Sequence, residues 1–444
     1  MTNPHAPTRA ALRAQDSAAA GRDPRHARIT RKHHVMRGIS LVLAGTFAFI
    51  ATGAGAVIYK FQNNIESIDI SDRLAAVEGL PAAPTADPED PKAGLPVNIL
   101  LMGSDDRSGE NATIGGDAGG MRSDTTIVMH ISADRSRVEL VSIPRDSLVD
   151  IPSCEMTDGS MTKPRSNAMF NSAFALGWDT GGDIASAATC AMVTVMSLTD
   201  VYLDGFVVVD FAGFQSMIDA IGGVPMCIPE AIVAPEADLN LEAGQQTLNG
   251  AQALGLARAR KGTGLNGSDL TRITRQQELL GATAKALLDQ NLLTDAPGLL
   301  QFLNAATSSL KASQNFASLQ NLSGLALSLR GLDAAGINFL TVPVADAPSD
   351  KNRVVWTSAA DTIWENMAAD RPIDGSTPVE EAPVETPQLP AAGAGTTDAA
   401  DTAPADTATP EVTTPEAAPQ PTPTTTSAPP KGLTTAADTL VTCG

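Results

Sequence analysis

The chain has 444 residues, of which 43% are hydrophobic and 18% are charged, and its formal net charge is -20. This length allows more than one domain, and the hydrophobic content is sufficient for a sizeable core. Because binding to a phosphate backbone needs a basic surface, so acidic a chain is not expected to have a nucleic-acid partner.

The N-terminal segment combines positive charge with a long uncharged stretch. Residues 1–37 carry eight Lys and Arg against two Asp and Glu, and residues 38–59 carry no charge. The uncharged stretch is long enough to cross a bilayer as a helix, and its basic flank predicts a cytoplasmic N-terminus. A cleaved signal peptide is the alternative, since residues 51–56 are small. The length favours an uncleaved anchor, so we expect a single-pass protein of the cell membrane with everything after Lys60 outside the cell.

Composition divides the remainder into three segments. Residues 60–95 form a predicted linker that is rich in Pro, Ala and acidic residues near its end. Residues 96–372 have the apolar patterns of a folded domain. Residues 373–444 are mostly Thr, Pro, Ala and acidic residues, which cannot bury enough surface to fold, so we expect a disordered tail. Such a tail either extends into a cell wall or is simply solvated.

Three apolar runs at the start of the folded region predict a sheet with polar residues at one edge. The runs at 97–102, 125–131 and 137–143 have the composition of strands, and a short polar turn joins the last two as a hairpin. If the second strand is antiparallel to the first, Asp105 and Asp124 lie at the same edge, and the third strand brings Arg145 and Asp146 there. Each residue alone is explained equally well as a turn or surface residue.

A second cluster predicts an anion site. Asp269, Arg272 and Gln276 are spaced to share one face of a helix. Arg258, Arg260, Arg272 and Arg275 fall within 18 residues of this acidic chain. Arginine forks match the paired oxygens of phosphate. Carboxylates beside such arginines suit magnesium, which binds a few carboxylates and completes its shell with water and phosphate oxygens.

The ordered motifs resemble those of the LytR-CpsA-Psr family. They extend over about residues 96–285, and an N-terminal membrane helix fits the topology of that family. The motifs are residues 98–107 (NILLMGSDDR), 122–126 (RSDTT), 142–146 (SIPRD), 171–174 (NSAF), 210–214 (DFAGF), 222–224 (GGV), 243–250 (AGQQTLNG), 258–260 (RAR) and 269–277 (DLTRITRQQ). The Ala- and Leu-rich composition with few aromatic residues is typical of a high-GC, actinobacterial source.

The resemblance implies an α/β fold in which helices flank both faces of a central mixed sheet. It also implies a magnesium-dependent phosphotransferase that moves a glycopolymer from a polyprenyl-diphosphate carrier onto peptidoglycan, leaving a phosphodiester link. Asp105 and Asp124 match the metal-associated aspartates of the family. Asp105, Asp124, Arg145 and Asp269 are the expected catalytic residues. The expected diphosphate-binding residues are Arg122, Arg145, Arg258, Arg260, Arg272, Arg275 and Gln276.

One position departs from the family pattern. The family commonly has a lysine two residues before Asn171, where this chain has Met169. Either Lys163 or Arg165 supplies the charge, or the site has one phosphate contact fewer.

The four cysteines would lie in an oxidising compartment and allow three fully paired connectivities. We expect Cys154 to pair with Cys190, as actinobacterial relatives of the family do. Cys227 lies in an apolar run and is expected to be a buried free thiol, and Cys443 lies in the predicted tail.

Two other function classes are alternatives to the transferase. A polyprenyl-diphosphate pyrophosphatase would use water as the acceptor in the same site. A noncatalytic envelope scaffold or regulator would not need the site intact. The complete set of aspartates and arginines argues against the scaffold, whereas the sequence barely separates the pyrophosphatase from the transferase. His130, inside a predicted strand, is expected to be packed or surface-facing rather than catalytic.

Overall fold

The computed structural model describes residues 25–85, 94–105, 120–289, 296–376, 432–438 and 443. It divides into a unit up to Asn64 and a unit from Ile65 onward. The strands are β1 (Glu66–Ile68), β2 (Val97–Ser104), β3 (Ser123–Ile131), β4 (Val138–Ile143), β5 (Leu148–Ile151), β6 (Arg165–Met169), β7 (Gly205–Val209), β8 (Val224–Ile228), β9 (Ile232–Ala234), β10 (Leu239–Leu241), β11 (Gly244–Leu248), β12 (Leu310–Ser313), β13 (Ile337–Thr341), β14 (Val344–Ala347), β15 (Asp350–Trp356) and β16 (Thr434–Thr435). The helices are α1 (Arg25–Asn64), α2 (Ser71–Ala75), α3 (Ser172–Gly181), α4 (Ile184–Thr199), α5 (Phe211–Ala220), α6 (Gly250–Arg258), α7 (Asp269–Asp289), α8 (Ala296–Ser309), α9 (Leu319–Ser328) and α10 (Ser358–Ala368).

The second unit is built around a mixed eight-stranded sheet with the order β1-β12-β7-β2-β3-β4-β13-β16. The predicted meander is confirmed, because β2 pairs antiparallel with β3, and β3 antiparallel with β4. On the two sides of the meander, β7 is parallel to β2, and β13 is parallel to β4. The carboxyl ends of four strands, β2, β4, β7 and β13, therefore meet at one edge.

Both faces of the sheet are covered, as expected. Along β2, Leu100 and Met102 pack into a core with helices α3, α4 and α10, whereas Ile99 contributes to a core on the opposite face. Alternate side chains of a strand point to opposite faces, so this one strand supplies both cores. Leu280 and Ala284 of α7 and Leu325 of α9 pack against the second face.

The predicted linker is partly wrong. Residues 66–68 were expected to be spacer, but they form β1, which pairs parallel with β12 at one end of the main sheet. Ile65 and Ile70 on either side of β1 are buried. These isoleucines pack into cores that are completed by residues distant in sequence, so local composition underestimated the extent of the domain.

The predicted tail is also partly wrong. Most of it lies outside the described residues, but β16 pairs antiparallel with β13 and Ala436 is fully buried. Cys443 forms a disulfide with Cys227, and the expectation of a free thiol at Cys227 is therefore wrong. The expected disulfide between Cys154 and Cys190 is present. The chain end returns to the domain because the edge of β13 and an apolar surface on α7 accept it.

The predicted membrane segment at 38–59 lies within α1, a helix of 40 residues. Within the described part of the chain, no helix is both long enough and apolar enough to cross a membrane.

Candidate functional site

The site begins with a β-bulge at the end of β3. Gly103 pairs with Thr125 and Ser104 pairs with Ser123, so Asp124 is an extra residue in the ladder. A bulge bends the strand and changes the direction of the side chain it carries. Asp124 is 41% exposed, and its Oδ1 accepts a hydrogen bond of 2.8 Å from Nη1 of Arg145.

Asp105 lies beside this bulge, directly after β2. Its backbone N–H donates to the carbonyl oxygen of Arg122, and its Oδ1 accepts a 2.6 Å hydrogen bond from the backbone N–H of Arg122. These bonds close the end of the β2–β3 pair and hold Asp105 at the same edge as Asp124. The side chain of Arg122 is exposed.

Helix α7 brings the second half of the cluster. Asp269 is its first residue, and Oδ1 of Asp269 lies 2.7 Å from Nη2 of Arg272, one turn later. Arg272 is only 3% exposed and also donates to the backbone carbonyl of Asp124, at 3.1 Å. The helical spacing predicted Asp269 and Arg272 as neighbours, and the structure adds their contact with β3.

The two halves meet at Asp269. Its Oδ1 lies 3.4 Å from Nε of Arg145 and 4.0 Å from Nη2 of Arg260, which follows α6. The same Arg260 nitrogen lies 3.9 Å from Oδ2 of Asp124. The two carboxylates therefore hold three guanidinium groups close together despite their mutual repulsion.

The electrostatic environment separates the two carboxylates. Burial alone would raise the pKa of Asp124, but the charge and hydrogen bond of Arg145, together with Arg272 and Arg260, hold it below its usual value. Burial raises the pKa of Asp269 above its usual value, against the effect of the same three arginines. Burial also lowers the pKa of Arg272 to about 10, although Asp269 acts in the opposite direction.

Several buried polar atoms of the cluster have capacity to bind a ligand. Among the residues that the structure describes, Nε of Arg145, Nε of Arg272 and both carboxylate oxygens of Asp269 are buried without a well-directed hydrogen bond, although Nε of Arg145 and Oδ1 of Asp269 take part in ion pairs. Buried polar groups in native proteins are normally satisfied. The two donors fit phosphate oxygens, and the carboxylate oxygens fit a donor or a cation.

The remaining predicted residues surround the cluster. The Arg258 guanidinium lies over the ring of Phe211, 4.5 Å from its centroid. Gln276 donates to the carbonyl oxygen of Ala257 at 2.9 Å, and Arg275 donates to that of Ala259. In this structure Gln276 and Arg275 hold the backbone that carries Arg258 and Arg260.

Two residues of the site region were missed in the sequence. Gln277 is buried and donates to Ser142 Oγ at 3.0 Å and to Thr341 Oγ1 at 3.2 Å, which attaches α7 to β4 and β13. Arg353, on β15, lies 3.5 Å from Asp146. Gln277 directly follows the predicted site residue Gln276, and this adjacency is the signal that could have identified it. No sequence pattern distinguishes Arg353.

The proposed metal ligands are compatible with magnesium. In the described residues no group of three or more His, Cys, Asp or Glu side chains forms a metal site. Magnesium is commonly held by one or two carboxylates with water and substrate phosphates. Asp105 and Asp124 at one edge of the sheet, with Asp124 accessible, fit that type of site.

Comparison with known proteins identifies the family. The sequence model of the LytR_cpsA_psr family matches residues 59–369. The chain is 32% identical over 304 residues to the probable cell wall biosynthesis protein LcpB of Corynebacterium glutamicum, covering 66% of this chain and 65% of LcpB. The match thus spans slightly less than two thirds of that relative.

Two further matches are more distant. The chain is 28% identical over 288 residues to the polyisoprenyl-teichoic acid–peptidoglycan teichoic acid transferase TagU of Oceanobacillus iheyensis, covering 62% of this chain and 78% of TagU. The solved LytR-Csp2A-Psr enzyme from Actinomyces oris aligns with a TM-score of 0.45 and 18% identity, over 68% of this chain and 96% of that structure. The family match alone covers well over half of the residues, and the protein therefore belongs to the LytR-CpsA-Psr family.

Proposed function

We propose that this protein transfers a glycopolymer from a polyprenyl-diphosphate carrier onto peptidoglycan, leaving a phosphodiester link. The observation that carries the proposal is the convergence of Arg145, Arg260 and Arg272 on two aspartates, with buried donors that lack a well-directed hydrogen bond. The name of the relative TagU supports a teichoic-acid or similar polymer as the transferred group.

The reaction is a displacement at phosphorus. A hydroxyl oxygen of the peptidoglycan acceptor attacks the phosphorus on the sugar side of the diphosphate and loses its proton to a base. The bridging P–O bond breaks, and the polyprenyl monophosphate leaves with the electron pair. Negative charge develops on the nonbridging and leaving oxygens, where arginines lower the barrier because they are already positioned.

The residues divide this work according to their environment. Arg260 is the most exposed of the three arginines, so a ligand can reach its guanidinium, whereas Arg272 is almost fully buried. Arg145 joins the two aspartates. Asp269 neutralises part of the arginine charge and keeps the cluster assembled in the absence of substrate.

The proposed cofactor is magnesium, held by Asp105 and Asp124. When bound, it would neutralise charge on the diphosphate oxygens. The hydrogen bond from the Arg122 backbone orients Asp105, and the bulge orients Asp124, so both carboxylates are positioned before any ion binds.

The proposed location is the cell membrane, with the catalytic unit outside the cell and the N-terminus in the cytoplasm. The uncharged stretch of α1 supports this proposal, as do its outward-facing apolar residues, including Leu41, Leu43 and Phe47. Extraction of native membranes with alkaline carbonate tests it. The full chain should stay in the pellet, and its release into the supernatant would contradict the anchor.

The activity is tested with the full chain in detergent, a polyprenyl-diphosphate-linked saccharide and purified peptidoglycan. Saccharide should become attached to the wall with magnesium present, and Arg260→Ala and Asp124→Asn should each reduce the rate by about 100-fold. Arg330→Ala removes an exposed arginine after α9 and serves as the matched control. Monophosphate release without attachment would support the pyrophosphatase instead, and the absence of both reactions would favour a scaffold.

A further inference from the structure

A hairpin from the C-terminal part of the domain lies against the edge that carries the site. Strands β14 and β15 pair with each other, and Val354 of β15 forms a parallel bridge with Ser147. The N–H of Val354 donates to the carbonyl oxygen of Asp146 at 3.3 Å, and Nε1 of Trp356 donates to Ser147 Oγ at 3.1 Å. The hairpin is thus attached to the two residues that directly follow Arg145.

This attachment places Arg353 beside Asp146. Nη1 of Arg353 lies 3.5 Å from Oδ1 of Asp146, while Oδ2 of the same carboxylate lies 3.5 Å from Nε of Arg145. Asp146 therefore uses one oxygen for each arginine. Arg353 is 30% exposed, as is Arg260, so water or a ligand can reach it.

Ion pairs join Arg353 to the arginines and aspartates of the site. The cluster comprises Asp124, Asp146, Asp269, Arg145, Arg260, Arg272 and Arg353. Arg353 thus enters the cluster through Asp146, which also contacts Arg145.

We infer that Arg353 is a further positioning residue of the site, which acts by sharing Asp146 with Arg145. Asp146 without Arg353 would have Arg145 as its nearest guanidinium, and it would hold that arginine more strongly. Arg145 would then be less available to a diphosphate, because the same nitrogen atoms bind both anions. This inference rests on the proposed function, since it assumes a diphosphate ligand.

The experiment measures binding of farnesyl diphosphate by the full chain in detergent with magnesium, using calorimetry. Arg353→Gln should weaken binding about tenfold, because Asp146 would then compete with the diphosphate for Arg145. Arg353→Lys keeps the charge and should recover most of the affinity. Lys351→Gln removes a charge from an exposed position of the same hairpin and should change affinity less than twofold. The loss in Arg353→Gln should shrink at high salt, because salt screens accessible charges.

A double-mutant cycle tests the route through Asp146. In the Asp146→Asn background, Arg353→Gln should have little further effect, because the carboxylate that couples the two arginines is gone. The inference would be overturned by an undiminished effect of Arg353→Gln in that background. It would also be overturned if Arg353→Gln bound farnesyl diphosphate with wild-type affinity while Arg260→Gln lost binding. If the wild-type chain binds no farnesyl diphosphate, the proposed function fails together with the inference.

Discussion

Arg145 donates a 2.8 Å hydrogen bond to Asp124 across the β3–β4 pair, although 21 residues separate them in the chain. The contact depends on two local features. The hairpin returns Arg145 to the edge of the sheet, and the bulge at the end of β3 places Asp124 outside the regular ladder. Together they set the geometry from which the arginine cluster is built.

Asp124 should make stability depend on pH. Its pKa is lower in the folded protein than in the unfolded chain, so its contribution is complete above the unfolded value, about 4, and is lost as the pH falls through the folded value. The melting temperatures of the wild type and Asp124→Asn should differ at pH 7, and the difference should shrink as the pH falls below about 4. A constant difference between the two curves would contradict this assignment.

Gln277 should control the attachment of α7 to the sheet. Gln277→Leu removes hydrogen bonds to the hydroxyls of Ser142 and Thr341 and leaves buried polar atoms without this donor, at a cost of about 1–3 kcal/mol. Urea unfolding measures this change in the free energy of unfolding. Activity should also fall, because α7 carries Asp269 and Arg272. Stability equal to the wild type would show that α7 is held mainly by apolar packing.

The disulfides should differ in the stability they confer. The sequence separations are 216 residues for Cys227–Cys443 and 36 for Cys154–Cys190. The chain-entropy model gives upper values of about 5 and about 4 kcal/mol for loops of these lengths. Cys443→Ser should therefore lower the free energy of unfolding under oxidising conditions. A low concentration of reductant should then change the free energy of unfolding of this variant only a little.

Peptide mapping with and without reductant tests the same disulfide connectivity chemically. The bridged peptides should contain Cys154 with Cys190, and Cys227 with Cys443. A free thiol at Cys227 in the isolated protein would contradict the second pair.

His130 should contribute to stability but not to catalysis. It is fully buried at the sheet edge opposite the site, where its ring nitrogens lie 2.7 Å from Asn98 Oδ1 and 3.0 Å from Asp370 Oδ1. His130→Leu should lower the free energy of unfolding by about 2 kcal/mol, because it leaves these polar atoms without their partner. At temperatures where the variant stays folded, kcat/KM should remain within about twofold of the wild type. A large loss of kcat/KM by the folded variant would connect this edge to the site.

The sequence alone determined the meander and its polar edge. Alternating and continuous apolar runs identify β2, β3 and β4, and the short connection between the last two requires a hairpin. Helical spacing identified the neighbouring Asp269 and Arg272. These features are local, because strand pairing through a tight turn and contacts one helical turn apart involve residues close in sequence.

Only the tertiary structure decided which charged side chains meet. The bulge at Asp124, the attachment of Gln277 and the approach of Arg353 depend on contacts between segments far apart in the chain. The return of residues 434–438 to β13, and of Cys443 to Cys227, depends on an exposed strand edge and apolar surface that composition does not reveal. Local patterns record which face of an element is apolar, whereas the partner that covers that face is selected by packing and electrostatics over the whole domain.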